Sequence, residues 1–197
     1  MVSVTDIHDG DADAHRIRLL DTAARLFYTE GVHRVSLERV ITEAGVPEAT
    51  LDEAFGGRDG LVRAYLELRH SRTRERIDRE LIRYETPRDR LVGVFEIQGA
   101  AFAEPGFRGC AFVSASAQAL PGEVVDEVAA EYRTWLHDLF RGLADSADAP
   151  DADELADQLV LLYDGAGISA WMDHRPATVH TSRSIAAALV DTALGTR

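Results

Sequence analysis

Residues 45–61 read GVPEATLDEAFGGRDGL, and the fold turns on how this stretch is read. Gly45 stops one helix, and Pro47 suits the first position of the next. Leu51 and Phe55 stand at i, i+4 and form one inward-facing pair. Gly56 and Gly57 then end that short helix, and Arg58 opens a longer one. The stretch therefore predicts a helix of about two turns held between glycine breaks. Its remaining positions carry Glu48, Asp52 and Glu53 and no base.

Upstream, apolar residues recur at helical spacing at Ile17, Leu20, Ala24 and Phe27, and again at Leu37, Val40, Ile41 and Ala44. Gly31 between the two runs suits a left-handed helix end. Ser36 precedes the second run and fits an N-cap. Three helices, the second and third joined at a glycine-centred turn, make a helix-turn-helix geometry. In that geometry the third helix enters the major groove of a duplex. The ends of the first, second and fourth helices supply phosphate contacts.

Downstream, every long segment also reads helical, and no strand pattern or internal repeat occurs. A long charged helix is predicted over about 58–84, with RHSRTRERIDRE in its middle. Pro87, Pro105-Gly106 and Pro121-Gly122 break the rest into shorter pieces. The last two helices carry Leu155, Leu159, Tyr163, Ala166 and Ala170, then Ile185 and Leu189. The expected class is all-α, with about nine helices. Residues 1–14 form a flexible acidic arm, 15–66 a helix-turn-helix domain and 67–197 a second helical bundle.

At 197 residues and 46% hydrophobic, the chain can bury a sizeable core. No apolar run reaches membrane-spanning length, and the start has no basic-then-apolar signal segment. One cysteine, Cys110, excludes an internal disulfide and fits a reducing cytoplasm. The net charge of −13 argues against indiscriminate affinity for nucleic acid. That charge is unevenly spread: residues 91–197 hold sixteen acids against six Arg, whereas residues 16–90 are close to neutral.

The order of residues in IRLLDTAARLFYTEGVHRVSLERVITEAGVPEATLDEAFGGRDGLVRAYL resembles the N-terminal domain of the TetR family of transcriptional regulators. The likeness covers residues 15–66: Ala-Ala-x-Leu-Phe, Glu-Gly, Ser before the second helix, Ala-Gly-Val, Thr-Leu, Phe and Gly-Leu. RGCAFVSASAQAL and LADQLVLLYDGAGISAWMD are similar to the ligand-binding half of that family. The resemblance implies an all-α homodimer, a pocket for a small apolar ligand in each second bundle, and repression of a double-stranded DNA operator that the ligand releases. It implies no cofactor and no membrane.

Carried over position by position, the resemblance makes Arg16, Arg34, Ser36, Arg39, Pro47, Glu48, Ala49, Thr50, Asp52 and Arg58 the DNA-facing set. Several depart from the family pattern. Pro47 stands where Ser or Thr is usual, Glu48 where Lys or Arg is common, Ala49 replaces Gly, and Asp52 replaces a phosphate-touching Tyr. An acid about 5 Å from a phosphate costs roughly 0.8 kcal/mol even at the dielectric of bulk water. Glu48 also favours the positive end of a helix dipole and can accept from cytosine N4. Two outcomes stay open: operator binding that is weak or unusually selective, or a ligand-binding or partner protein that has lost its operator.

Phe95, Phe102, Phe112, Ser116, Trp135 and Tyr163 are the candidate ligand-pocket residues. Ala166, Ala170, Ile185 and Leu189 would suit the four-helix dimer face that the resemblance implies. An enzyme is not expected. The chain has no HExxH, nucleophile elbow, Walker loop or dinucleotide glycine loop. His137-Asp138 and Asp173-His174 are helix neighbours, and their side chains diverge by about 100°.

Overall fold

A computed structural model describes residues 4–117 and 119–195, and side chains from Asp11 onward. Among the described residues there are nine α-helices and no strand. They are α1 (Val4–Glu30), α2 (Leu37–Ala44), α3 (Ala49–Phe55), α4 (Arg58–Leu81), α5 (Pro87–Phe102), α6 (Ala111–Ser116), α7 (Val124–Ser146), α8 (Ala152–Met172) and α9 (Thr178–Ala193). The chain divides into two compact units: residues 1–69 with 111–128, and residues 70–110 with 129–197. The first unit thus takes in a stretch that the contiguous reading assigned to the second bundle.

The expected flexible arm spans residues 1–14, most of which are helical. Residues 1–3 lie outside the described residues, but α1 already begins at Val4. Acidic residues near a helix start oppose its positive dipole, so their polarity does not prevent helix formation.

In the first unit, Leu19, Ala23, Leu26 and Phe27 share one buried face of α1. They meet Val40 of α2, Leu51 of α3 and Leu61, Tyr65 and Leu66 of α4, all buried. Phe27 and Tyr65 pack edge to face with ring centres 5.6 Å apart. Each fully buried Leu or Phe contributes about 1.5–3 kcal/mol, so this cluster sets the stability of the corner. The turns follow the expected chemistry. Gly31 is left-handed (φ 96°), Ser36 Oγ accepts from Arg39 N, and Gly45 caps α2 in the left-handed region (φ 62°). α6 belongs to this unit: His33 Nε2 lies 3.3 Å from the Ala115 carbonyl, and Arg63 pairs with Glu127 at the start of α7.

The second unit is centred on α5, α8 and α9. Thr86 Oγ1 caps α5 by accepting from Asp89 N, and Pro87 occupies its first turn. Asp151 caps α8 by accepting from Glu154 N. Leu91, Phe95, Phe140, Leu155, Leu159 and Val190 are almost wholly buried. Arg88 clamps α5 to α9 with a two-pronged bond to Asp191, Nε at 2.7 Å and Nη2 at 2.9 Å. The pair is only partly shielded, so Arg88→Leu should cost about 1 kcal/mol. Calorimetry should then show a melting temperature about 3 °C lower, with Asp191→Asn giving a similar loss and the double variant little more.

Candidate nucleic-acid interface

The corner between α2 and α3 is built by the two caps at Ser36 and Gly45. The turn after Gly45 continues through bonds from Thr50 N to the Pro47 carbonyl and from Leu51 N to the Glu48 carbonyl. α3 therefore leaves α2 at a fixed angle, with Pro47, Glu48, Ala49, Asp52 and Glu53 exposed. Leu51 is buried, as expected, and Thr50 is buried beside it at 6% exposure. Little of Thr50 is therefore open to a duplex on the outer face of α3.

The arginines at this corner, Arg18 of α1 included, differ in what holds them. Arg34 is exposed, as is Arg18. Arg16 lies over the Phe55 ring, 5.2 Å from its centre, which pins the α1 face to the end of α3. Arg39 is held by two carboxylates: Nη1 and Nη2 reach Glu30 at 2.6 and 2.8 Å, and Nε reaches Glu43 at 2.7 Å. Arg25 also donates to Glu43, at 2.7 Å. The bond from Arg39 holds the Glu30 carboxyl below the usual range, and Arg25 with Arg39 does the same to Glu43. Arg58 donates to the Val32 and Val35 carbonyls and so ties the start of α4 to the loop before α2. Arg39 and Arg58 therefore act first as braces of the corner. A phosphate would have to compete with those partners.

A cleft of about 640 Å³ runs beside α3. Asp11, Ala12, Asp13, His15 and Arg16 of α1 line it, opposite Pro47, Ala49, Thr50, Glu53 and Ala54. The acidic character of the outer α3 face thus continues onto α1.

The candidate pocket residues are divided between the two units. Phe112 and Ser116 fall in the first unit, where Phe112 is buried and Ser116 exposed. Phe95, Phe102, Trp135 and Tyr163 fall in the second. Phe95, Phe140 and Tyr163 pack as a trio with centres 5.7 to 6.1 Å apart, and Phe102 stacks near Phe107 at 5.3 Å. Residues the sequence reading did not single out lie close by. Buried Gln98 donates through Nε2 to the Tyr163 carbonyl at 2.7 Å. His70 stands edge-on to Tyr132 at 5.5 Å and 4.8 Å from Trp135.

Burial holds the His70 imidazole below its ordinary value, with Arg74 adding to the effect and Glu131 opposing it. The folded chain then takes up this proton less readily than the unfolded chain. Stability is full above the ordinary value of 6.5 and falls as pH drops below it. Thermal melts from pH 7 down to about pH 5 should decline less for His70→Phe than for the unaltered chain.

The four residues expected at a dimer face differ in burial. Ala166 and Ala170 are buried within the unit, packed with Phe102, Phe107 and Val179. Ile185 is 44% exposed and Leu189 half-buried. α8 presents Leu161 and Met172, 76% and 67% exposed, along with Trp171.

Among the described residues no cluster of three or more His, Cys, Asp or Glu could hold a metal ion. Nor is any described helix long and apolar enough to cross a membrane.

Comparison with known proteins bears on this arrangement. The family model described as "Bacterial regulatory proteins, tetR family" matches residues 19–65, the span of the two-helix corner and its flanking helices. A search of curated proteins by sequence finds no match. Among solved structures, a TetR-family transcriptional regulator from Streptomyces coelicolor is 30% identical, with a TM-score of 0.81 over 93% of this chain and 96% of that one. A TetR-type protein from Streptomyces avermitilis is also 30% identical, with a TM-score of 0.76 over 91% and 97%. Escherichia coli NemR in its reduced form, at 19% identity and a TM-score of 0.78 over 87% and 94%, shares the fold. With two near-full-length relatives at this identity and the motif order of residues 19–65, the chain belongs to the TetR family of transcriptional regulators.

Proposed function

We propose that the protein is a homodimeric, cytoplasmic repressor that binds operator DNA through the α2–α3 corner and releases it when a small, mainly apolar molecule enters the second unit. Residues 15–66 serve as the DNA-binding domain, and most of 67–197 serves ligand binding and pairing. The observation that carries this reading is the outward face of α3, set at a fixed angle by the Ser36 and Gly45 caps and left exposed at Pro47, Glu48, Ala49 and Asp52. A short exposed helix after such a turn is the element that enters the major groove in helix-turn-helix proteins. The exposed Leu161, Met172 and Ile185 supply an apolar surface for a second copy.

The charge of the face makes binding weak or narrowly selective. Arg34 and Arg18 are exposed cations, while Glu48, Asp52 and Glu53 repel phosphate. Glu48 at the start of α3 is placed to accept from cytosine, which would make the operator preference unusual. A protein that keeps the scaffold without an operator is the other outcome, favoured by the engagement of Arg39 and Arg58.

Fluorescence anisotropy against DNA upstream of the protein's own gene, at several salt concentrations, separates the two. Specific binding that weakens steeply with salt supports the regulator. No specific binding at low salt leaves the second reading. If the acids weaken contact, Glu48→Lys with Asp52→Tyr should tighten binding about tenfold or more at about 0.1 M salt and steepen its salt dependence. Unchanged affinity would place α3 away from the duplex.

A further inference from the structure

The cleft beside α3 lies wholly within the first unit, and its two walls are α1 and α3. Asp11 and Asp13 stand on the first wall and Glu53 on the second. All three carboxylates are exposed, and none joins an ion pair among the described residues. Glu30, Glu43 and Glu127 of the same unit each hold an arginine. Like charges on two walls of one gap raise the energy of the folded chain until a cation stands between them. Arg16 also lines the cleft, but its guanidinium lies over the Phe55 ring, 5.2 Å from the centre. Three carboxylates against its single positive charge leave an excess of two negative charges.

Thr50 is a second and independent sign. It lines the cleft with only 6% of its surface exposed, and its hydroxyl makes no hydrogen bond among the described residues. Buried hydroxyls are nearly always paired, and on a helix they commonly donate to a carbonyl one turn back. Here the Thr50 backbone N–H takes the Pro47 carbonyl instead. A valine would fill the same space without burying an unpaired hydroxyl. On stability alone, Thr50 is a poor choice for this position.

Size and lining narrow the class of ligand. A volume of about 640 Å³ falls within the roughly 300–1,000 Å³ of small-molecule sites. Among the described residues no three carboxylates or imidazoles converge closely enough to hold a metal ion. The negative charge is therefore spread along the cleft, and Pro47 and Ala49 give an apolar surface beside it. An elongated molecule with a positive charge at each end and an apolar stem matches that pattern.

We propose that this cleft binds an amphipathic organic dication. One ammonium group meets Asp11 and Asp13, the other meets Glu53 and donates to the Thr50 hydroxyl, and the stem covers Pro47 and Ala49. Pro47 and Ala49 also belong to the DNA-facing set, so the dication and a duplex exclude each other. That consequence rests on the operator reading, whereas binding of the dication does not.

A matched set of probes tests it by calorimetric titration of the full chain without DNA, at about 0.15 M salt. 1,8-Diaminooctane has both charges and the stem. 1,8-Octanediol lacks the charges, octanedioate reverses them, and 1,3-diaminopropane keeps them with almost no stem. 1,8-Diaminooctane should bind at least about tenfold tighter than each of the others. Asp13→Asn with Glu53→Gln should bring it to the level of the diol. Thr50→Val should weaken it about fivefold and leave the unliganded melting temperature equal or higher.

No binding of 1,8-diaminooctane, equal binding of the diol or of 1,3-diaminopropane, or full binding by the doubly neutralised variant would overturn the proposal. So would a lower melting temperature for Thr50→Val, because the hydroxyl would then be structural. In anisotropy, 1,8-diaminooctane should displace bound operator at concentrations where 1,3-diaminopropane does not. Operator binding untouched by saturating diamine sinks this inference and leaves the repressor reading standing. Diamine binding by a chain that binds no operator sinks the repressor reading alone.

Discussion

Gly60→Ala should unfold the corner that carries α3, at a cost of about 3 kcal/mol or more. A Cβ on Gly60 would lie 1.7 Å from the Phe55 carbonyl oxygen and 2.8 Å from its carbonyl carbon. Those are backbone atoms at the end of α3, so no side-chain rotation relieves the contact. Either α4 moves off α3 or the Gly56–Gly57 turn opens. Both glycines of that turn are left-handed, at φ 66° and 104°, and have little room to adjust with a larger neighbour. Displacing Phe55 also removes the ring beneath Arg16. Calorimetry should show a melting temperature about 8 °C lower, and anisotropy should show operator binding lost. Gly142→Ala is the control: a Cβ there meets nothing within 4 Å, and alanine is the better helix former. A Gly60→Ala protein that melts and binds like the parent would mean that α3 and α4 do not approach as closely as this.

The same stretch shows how far a sequence can be read. Glycine breaks, the Ser36 cap and the i, i+4 pairing are local signals, and the helices they predict are present near the expected bounds. What the glycines do in space is not local. Gly60 reads as one more small residue in a turn, yet its role comes from the carbonyl five residues earlier. The family resemblance places Arg39 and Arg58 among the DNA-facing residues. Their partners at Glu30, Glu43, Val32 and Val35 come from other elements, and spacing alone does not reveal them.

The candidate pocket was less legible for a related reason. Phe95, Phe102 and Tyr163 are apolar at helical spacing, a pattern common to core and cavity alike. Phe112 is one more aromatic and Ser116 one more small residue in the sequence, and nothing in that pattern tells that α6 belongs to the first unit. Gln98 drew no notice because a single glutamine on an apolar helix reads as solvent-facing. Only its burial and the bond to α8 mark it.

Gly99→Ala should weaken the second unit by about 2 kcal/mol, and a change on another helix should partly restore it. The new Cβ would lie 2.0 Å from Val179 Cγ2 and 2.5 Å from Val179 Cβ. Val179 is β-branched and near the start of α9, so its rotamers give little relief. The alanine gains helix propensity worth at most about 1 kcal/mol, and the overlap outweighs it. Val179→Ala removes the nearer carbon but leaves the Cβ contact, so rescue should be incomplete. Thermal melts of the two single variants and the double variant form a cycle whose coupling should reach about 1 kcal/mol in the rescuing direction. Strict additivity would mean that α5 and α9 are not in contact at this pair. The seam would then be held by Arg88 and Asp191 without the glycine contact, and the loss in Arg88→Leu should exceed the 1 kcal/mol or so expected of a half-exposed ion pair.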